Sequence, residues 1–173
     1  MKNPMNTPFA EMPSMPEYGV DTPDWQALPW SWAADRLAGT RNYWVVTAST
    51  DGQPHSLPVW GVWNDDAQRF MFSCAHGSKK ARNLGMNPRM TFTNADTIEC
   101  ISVQGVAELV VEATRLHNWV DRYVAKYGNE VGPELGDYVR QNAIFEVTPT
   151  LAFAVIERPD EFATRATRWR FVD

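Results

Sequence analysis

Over most of its length the chain alternates between hydrophobic and polar positions with a period of two. Short segments rich in aromatic and β-branched residues follow one another, and this pattern is typical of β-strands. The predicted strands are residues 43–50, 54–63, 69–74, 89–94, 100–111, 144–147, 151–156 and 167–171. Many short antiparallel strands with a few helical inserts predict a mainly β fold, a closed antiparallel β-barrel covered by α-helices.

A period near 3.6 interrupts the strands in a few places. The predicted helices are residues 30–37 before Gly39, 78–85 with Ser78 as N-cap and Gly85 as stop, 116–127 before Gly128, and 133–141. We interpret the aromatic residues of the third helix as core. Between the first two strands, Asp51-Gly52 predicts a two-residue type I′ hairpin turn, which requires positive φ at both residues.

Residues 1–29 differ from the rest of the chain because they hold six of its twelve prolines. Proline at this density blocks helix and removes backbone donors, so we expect an extended N-terminal arm followed by one barrel domain over residues 30–173. The arm also carries Tyr18, Trp25 and several methionines, which free linkers usually lack. We therefore expect it to lie against the barrel or against a second subunit.

Length, net charge and residue composition exclude several classes of protein. A chain of 173 residues suggests one domain, and a net charge of −5 is wrong for duplex binding, which needs an excess of Lys and Arg. No apolar run is long enough to cross a membrane, and no secretory signal is apparent, so we expect a cytoplasmic protein. Cys74 and Cys100 are far apart and are interpreted as reduced thiols, and the three histidines form no zinc motif.

The positive charges are concentrated in two stretches without acids, residues 67–95 and 162–172. Either these stretches bind a small anion, or they are solvated faces that balance acids elsewhere; charge alone leaves both open.

The start of the second predicted helix favours an anion site. Lys79 and Lys80 lie in its first turn, at the positive end of the helix dipole, where each exposed cation costs about 0.3–1 kcal/mol. A phosphate bound by free amides, the Ser78 hydroxyl and lysine ammonium groups would reverse this cost. The alternative is a short surface helix that tolerates the lysines.

Two further segments could form a ligand pocket. Pro58 and Gly61 interrupt a good strand, so the backbone there could approach a flat heterocycle next to Val59 and Trp60; the alternative is an irregular edge strand. In residues 167–171, Trp169 and Arg170 lie on opposite faces of a strand. That strand could cover a pocket and reach an anion, or it could be a core strand whose arginines pair with surface acids.

The chain lacks a catalytic triad order, a phosphate-binding Walker loop and a dinucleotide fingerprint, and we assign no catalytic residue. A pocket with an anion anchor and aromatic walls, but without an evident nucleophile, is what a redox cofactor needs.

These residues resemble the pyridoxamine 5′-phosphate oxidase-like split β-barrel proteins, and among them the actinobacterial flavin/deazaflavin-dependent oxidoreductases. The resemblance covers residues 30–173, and its matching segments are residues 43–48, 51–63, 72–73, 78–84, 87–89 and 166–171. Family members more often have Arg-Lys where this chain has Lys79-Lys80, which keeps the charge but loses a bidentate donor. The full set of substrate-phosphate residues of a true pyridoxamine phosphate oxidase is missing, so that activity is not expected.

The resemblance implies a homodimer with a cofactor in a cleft between the subunits, and a small-molecule substrate. It implies that Pro58, Val59 and Trp60 lie along the cofactor ring, that Ser73, Ser78 and Lys80 hold its phosphate with Lys79 beside them, and that Trp169 and Arg170 lie near the ring or substrate. The family uses the deazaflavin F420 or FMN. We favour F420, because its acidic tail suits the basic residues 67–95, and expect hydride transfer to a small conjugated acceptor. The alternatives are an FMN-dependent oxidoreductase and a flavin- or haem-like ligand-binding protein without turnover.

Overall fold

The computed structural model of the protein describes residues 7–171. Its strands are β1 (Phe9–Glu11), β2 (Asn42–Ala48), β3 (Pro54–Asn64), β4 (Arg69–Cys74), β5 (Arg89–Thr93), β6 (Glu99–Leu109), β7 (Ala143–Ile156) and β8 (Thr167–Arg170). Its helices are α1 (Trp30–Gly39), α2 (Lys79–Met86), α3 (Ala113–Val131), α4 (Leu135–Arg140) and α5 (Phe162–Arg165). No helix within residues 7–171 has the length and apolar character to cross a membrane.

The strands form an antiparallel barrel, as the alternating pattern predicts. The order in the sheet is β1-β8-β7-β4-β3-β2-β5-β6, and an additional pairing of β7 with β6 closes six of these strands on themselves. The fold is therefore a mainly β, split β-barrel with helical inserts. Its interior is filled by aromatic side chains, among which the rings of Phe70 and Phe92 stack at 4.1 Å.

Strand β7 is longer than the sequence predicts. Residues 144–147 and 151–156 were expected as two strands, but they belong to one strand that contains Pro149. Proline is tolerated because one edge of β7 pairs with β4 up to Val147 and with β8 only from Leu151, so Pro149 lies between the two partners. On the other edge, the ladder with β6 shifts register at Gln104/Gly105, opposite this proline.

Strand β3 changes partner in a similar way, and this change opens the barrel. Its first part, through Trp60, pairs with β2, whereas only Gly61 to Asn64 pair with β4. Residues 54–60 therefore have one edge without a neighbouring strand among the described residues. Pro58 lies on this open stretch, which agrees with the irregular edge that the sequence predicts.

One predicted turn and three predicted helix ends are wrong. The β2–β3 loop is longer than a two-residue type I′ turn: Ala48 pairs with Pro54, and Gly52 has positive φ while Asp51 does not. The Gly52 N–H donates to Ser49 O at 3.0 Å, so the glycine follows a wider turn. Helix α3 does not stop at Gly128 but continues to Val131, and Gly132, with φ of 115°, ends it. Gly39 and Gly85 likewise lie within α1 and α2.

The described part of the arm lies against the barrel. β1 pairs with β8, the Leu28 N–H donates to the Thr167 hydroxyl at 2.9 Å, and the Trp25 indole donates to Ala166 O at 2.7 Å. Leu28 is fully buried. The segment is thus mostly extended, as its prolines predict, and it joins the same sheet as the barrel; residues 1–6 of the expected arm lie outside the described residues.

A second apolar cluster lies outside the barrel, between the α3–α4 pair and strands β3 and β4. Trp119, Tyr123 and Tyr127 of α3 pack there against Val62 and Met71. The expectation that the aromatic stripe of this helix is core is confirmed. The same packing puts α3 and α4 beside the open edge of β3.

Candidate functional site

A cleft of about 650 Å³ lies where the open edge of β3, the end of β4, the start of α2 and the α3–α4 pair meet. It is lined by Pro58, Val59, Trp60, Ser73, Cys74, Ala75, Ser78, Lys80, Tyr123, Val131, Glu134, Leu135 and Tyr138. Its walls are mainly aromatic and aliphatic, with a few polar groups, which is the usual make-up of a site for a small molecule or cofactor.

Lys80 supplies the positive charge of the cleft. The residue is only 9% exposed, and no hydrogen bond or ion pair is found for it within residues 7–171. A buried cation without a counter-ion is unfavourable, and a bound anion removes that cost. The position therefore fits a phosphate or carboxylate better than a neutral group.

Ser78 fixes the helix that carries this lysine. Its side chain accepts the N–H of Ala81 at 3.2 Å and so caps α2, as the sequence predicts. The first turn of α2 contains no acidic residue. The positive end of the helix dipole and Lys80 thus act in the same direction, toward an anion in the cleft.

The opposite wall of the cleft is held by α3. The Trp60 ring stacks on Tyr127 at 5.0 Å with an angle of 10° between the planes. The Tyr127 hydroxyl accepts the Gly61 N–H at 3.0 Å and lies 2.7 Å from the carbonyl oxygens of both Gly61 and Arg41. These contacts fix the backbone at the point where β3 leaves β2.

Lys126 completes this support. Its ammonium group donates to Thr40 O at 2.6 Å, to the Tyr43 hydroxyl at 2.9 Å and to Gly61 O at 3.0 Å. Burial lowers the pKa of Lys126 to about 8. The lysine thus binds backbone oxygens behind Gly61 rather than a carboxylate.

Two side chains of the cleft are held in their neutral forms. Burial raises the pKa of the Cys74 thiol, and the weaker effects of Ser78 and Lys80 do not reverse this shift. Burial also raises the pKa of Tyr123 well above its usual range. Cys74 is therefore not an activated nucleophile, whereas Tyr123 is available as a protonated hydroxyl.

Most of the predicted site residues come together in this cleft. The structure places six of them in its lining: Pro58, Val59, Trp60, Ser73, Ser78 and Lys80. Lys79 is adjacent to Lys80 in the chain but is exposed. Their roles toward a cofactor stay predictions.

Trp169 and Arg170 lie elsewhere within this chain. Trp169 is fully buried in the barrel core, with its ring 5.4 Å from that of Trp30. Arg170 and Arg168 both bind the carboxylate of Glu11, at 2.7 and 2.5 Å. This is the arrangement of a core strand with paired arginines, and neither predicted residue lines the cleft of its own chain.

The basic residues of the two acid-free stretches do not converge. Arg69 lies 4.0 Å from Glu146, and the exposed Arg82 donates to Gly77 O. Arg89 lines a different cleft, of about 470 Å³, on the outer face of β2, β5 and β6. Among the basic residues that the structure describes, only Lys80 lines the cleft beside β3.

Sequence reasoning missed the wall contributed by α3 and α4. The residues concerned are Tyr123, Val131, Glu134, Leu135 and Tyr138. The helical period identifies Tyr123 as apolar-facing, but no local signal shows that this face ends at a cleft. The exposed Tyr138, at 64%, carries no pattern of its own.

Comparisons with known proteins establish the fold and the family of the chain. No curated protein matches the chain. Among solved structures, the chain is similar to the conserved hypothetical protein Rv2991 of Mycobacterium tuberculosis, with a TM-score of 0.64 and 22% identity over 86% of this chain and 88% of that one. It is also similar to an F420 reductase, with a TM-score of 0.52 and 20% identity over 68% of this chain and 93% of that one.

A third similar structure is HutZ of Vibrio cholerae, described as a haem storage protein, with a TM-score of 0.54 and 19% identity over 69% of this chain and 88% of that one. At these identities the similarities establish the fold. The family model described as pyridoxamine 5′-phosphate oxidase matches residues 33–156. Since this match spans the barrel from α1 to the end of β7, the chain belongs to the pyridoxamine 5′-phosphate oxidase family.

Proposed function

We propose that the protein is an oxidoreductase that binds the deazaflavin F420 in the cleft beside β3 and transfers hydride to a small conjugated acceptor. The observation that carries this proposal is Lys80, a buried cation without a partner among the described residues, next to a strand edge that lacks a neighbour. An anionic group and a flat ring are the two parts that such a cleft fits. Both parts occur in F420 and in FMN.

Different residues of the cleft would bind the phosphate and the ring of the cofactor. Ser73, Ser78 and Lys80, with Lys79 at the rim, would hold the phosphate. The free backbone groups along Pro58 to Trp60 would face the polar edge of the ring, since one side of this stretch has no strand to pair with.

The distribution of exposed charge supports F420 over FMN. FMN ends in one phosphate, whereas F420 continues into an acidic glutamyl tail. Lys79 and Arg82 are exposed on α2, outside the buried Lys80, and could bind such a tail. Arg89 lines the other cleft, so we do not expect it to bind the tail.

The bound cofactor would supply the hydride, and the chain would supply position and shielding from water. The Trp60–Tyr127 stack and Lys126 fix one wall, so the ring would meet a rigid surface. Tyr123, which keeps its proton, Glu134 and Tyr138 are the polar groups left to orient an acceptor. We assign no catalytic residue. A small-molecule substrate, a homodimer and a cytoplasmic location belong to the same proposal.

The second candidate is a flavin- or haem-binding protein without turnover. The similarity to HutZ supports keeping haem as a ligand class. No histidine is among the described residues that line the cleft, so Cys74, Tyr123 and Tyr138 are the side chains there that could reach a haem iron. An absorbance spectrum of the purified protein separates haem from flavin directly.

The test of the main proposal is a side-by-side titration of the cofactor-free protein with F420 and FMN, followed by turnover with candidate acceptors. We expect tighter binding of F420, weakened by salt and by a shortened tail, because partly exposed ion pairs are screened over about 8–10 Å near physiological ionic strength. Arg82→Ala should weaken F420 binding slightly and leave FMN binding unchanged. Stoichiometric FMN in the purified protein, or tighter binding of FMN, would overturn the assignment of F420. Binding without turnover of any acceptor would favour the second candidate.

A further inference from the structure

His55 is an unassigned histidine beside the start of α2. It lies on the open stretch of β3 and pairs across the strands with Thr47. Directly opposed residues of antiparallel strands point to the same face. The Thr47 hydroxyl accepts a hydrogen bond from Asn83 of α2 at 3.0 Å, so this face is the one that α2 covers. The His55 side chain is therefore directed to the helix that carries Lys79 and Lys80.

One ring nitrogen of His55 is not satisfied within the described chain. Its Nδ1 is fully buried and has no hydrogen-bond partner in residues 7–171. The residue as a whole is partly exposed. A buried ring nitrogen without a partner is costly, and a bound anion beside a protonated His55 would remove this cost.

The charged and titratable groups near His55 come from three elements. Lys79 and Lys80 belong to α2, Asp51 to the β2–β3 turn beside Lys79, and Cys74 to the end of β4 beside Lys80. Lys80 has no partner in the described chain, and the Cys74 thiol stays neutral. His55 thus faces two lysines, with Asp51 as the only carboxylate nearby among the described groups that interact with this cluster.

We propose that His55 completes the anion site with Lys79 and Lys80, and that binding of the cofactor phosphate is coupled to uptake of a proton by His55. This inference rests on the proposed function for the identity of the ligand. It extends the phosphate site from α2 to the facing residue of β3, next to the residues that line the cleft.

The direction of the pH effect follows from the charges. Without ligand, burial lowers the pKa of His55 from its ordinary 6.5, and Lys80 and Lys79 lower it further. A bound phosphate neutralises the lysines and favours the imidazolium, so the pKa rises on binding. The complex then holds a proton that the free protein has released, and affinity increases as the pH falls through the interval between the two pKa values.

The experiment follows the His55 ring by NMR as a function of pH, in the free protein and with inorganic phosphate, FMN or F420. We expect the pKa of His55 to rise with each phosphate-bearing probe and to stay unchanged with riboflavin, which lacks the phosphate. For F420, whose phosphodiester keeps its charge over this range, a rise of about one unit makes binding up to about tenfold tighter at about pH 5.5 than at about pH 8. His55→Gln should lose this dependence, because no group at that position can then take up a proton.

His117→Gln is the matched control, because His117 is exposed on α3 beside Asp121 and should leave the dependence intact. A pKa of His55 that no phosphate-bearing probe changes would overturn the inference. The same holds if His55→Gln keeps the wild-type dependence. If neither cofactor binds but inorganic phosphate raises the pKa of His55, the anion site stands and the proposed function fails.

Discussion

At the scale of single residues, Lys80 is the side chain that we expect to act in binding and not in holding the fold together. It is buried but makes no ion pair in the described chain, so its removal breaks no internal salt bridge. We predict that Lys80→Ala weakens binding of the preferred cofactor by about 1.5–3 kcal/mol, the size of a hydrogen bond to a charged group. Fluorescence titration measures the affinity, and thermal unfolding should show no comparable loss of stability.

The neighbouring lysine is the control for this prediction. Lys79 has the same charge but is exposed, so Lys79→Ala should weaken binding by no more than about 1 kcal/mol. An unchanged dissociation constant in folded Lys80→Ala protein would remove Lys80 from the anion site.

Gly61 is the residue at which β3 changes partner, and it has no room for a side chain. A Cβ there would lie 2.5 Å from two ring atoms of Phe70 and 2.8 Å from Met71 O. We predict that Gly61→Ala lowers the free energy of unfolding by about 1–3 kcal/mol, the usual range for overpacking. Denaturant titration measures this change.

Gly85 provides the opposite case. It lies within α2, and a Cβ there would meet nothing within 4 Å. Gly85→Ala should therefore stabilise the protein by about 0.5–1 kcal/mol, because alanine loses less conformational freedom in a helix. If both glycine variants were equally stable, the close packing at Gly61 would be refuted.

At the scale of elements, Lys126 joins α3 to the loop before β2 and to Gly61 of β3. Its pKa is about 8 in the folded protein, against an ordinary value of 10.5 in the unfolded chain. Between these values the unfolded chain keeps the proton that the folded protein has released. Burial of the charge therefore destabilises the fold fully below about pH 8, and this cost disappears as the pH rises toward 10.5.

We predict that the stability of the wild type relative to Lys126→Met increases as the pH rises through this window. Chemical unfolding of both proteins at about pH 7 and about pH 9.5 measures the difference. A difference that does not change with pH would show that Lys126 keeps its ordinary pKa in the fold. The variant should also bind the cofactor less tightly, since Lys126 supports the Gly61 carbonyl next to Trp60.

At the scale of the whole molecule, the outer face of β2, β5 and β6 is the surface that suits a second copy of the chain. Trp44 is 45% exposed and Val106 is 42% exposed on it, and the cleft that contains Arg89 lies there too. We predict a homodimer through this face, because interface cores are enriched in exposed aromatic and apolar side chains. Light scattering at micromolar concentration measures the mass.

Trp44→Glu should shift the protein to a monomer, because it buries a charge at the predicted interface. Ala125→Glu adds the same charge to an exposed position of α3 and should leave the mass unchanged. A wild-type monomer in the presence of cofactor would contradict the prediction.

The features that the sequence determines are those set by neighbours in the chain. Alternation along β2, β4 and β5 predicts these strands to within two residues, because side chains of a strand alternate between two faces wherever it pairs. The N-cap at Ser78 is equally local, since it needs only an N–H three residues on. The lysines that follow it indicate an anion site because the charge of a helix end is also a local property.

Tertiary structure decides what depends on contacts between distant segments. Pro149 lies inside one strand because β4 and β8 leave a gap at that position, and no local pattern contains this information. The same holds for Trp169, whose alternation fits a pocket wall and a core equally; packing against Trp30 buries it in the core. The α3–α4 wall of the cleft follows from where the helices pack on β3 and β4, not from their own sequence. The local sequence is compatible with more than one structure at each of these positions. Contacts between residues far apart in the chain decide which structure forms, because only the folded chain brings those residues together.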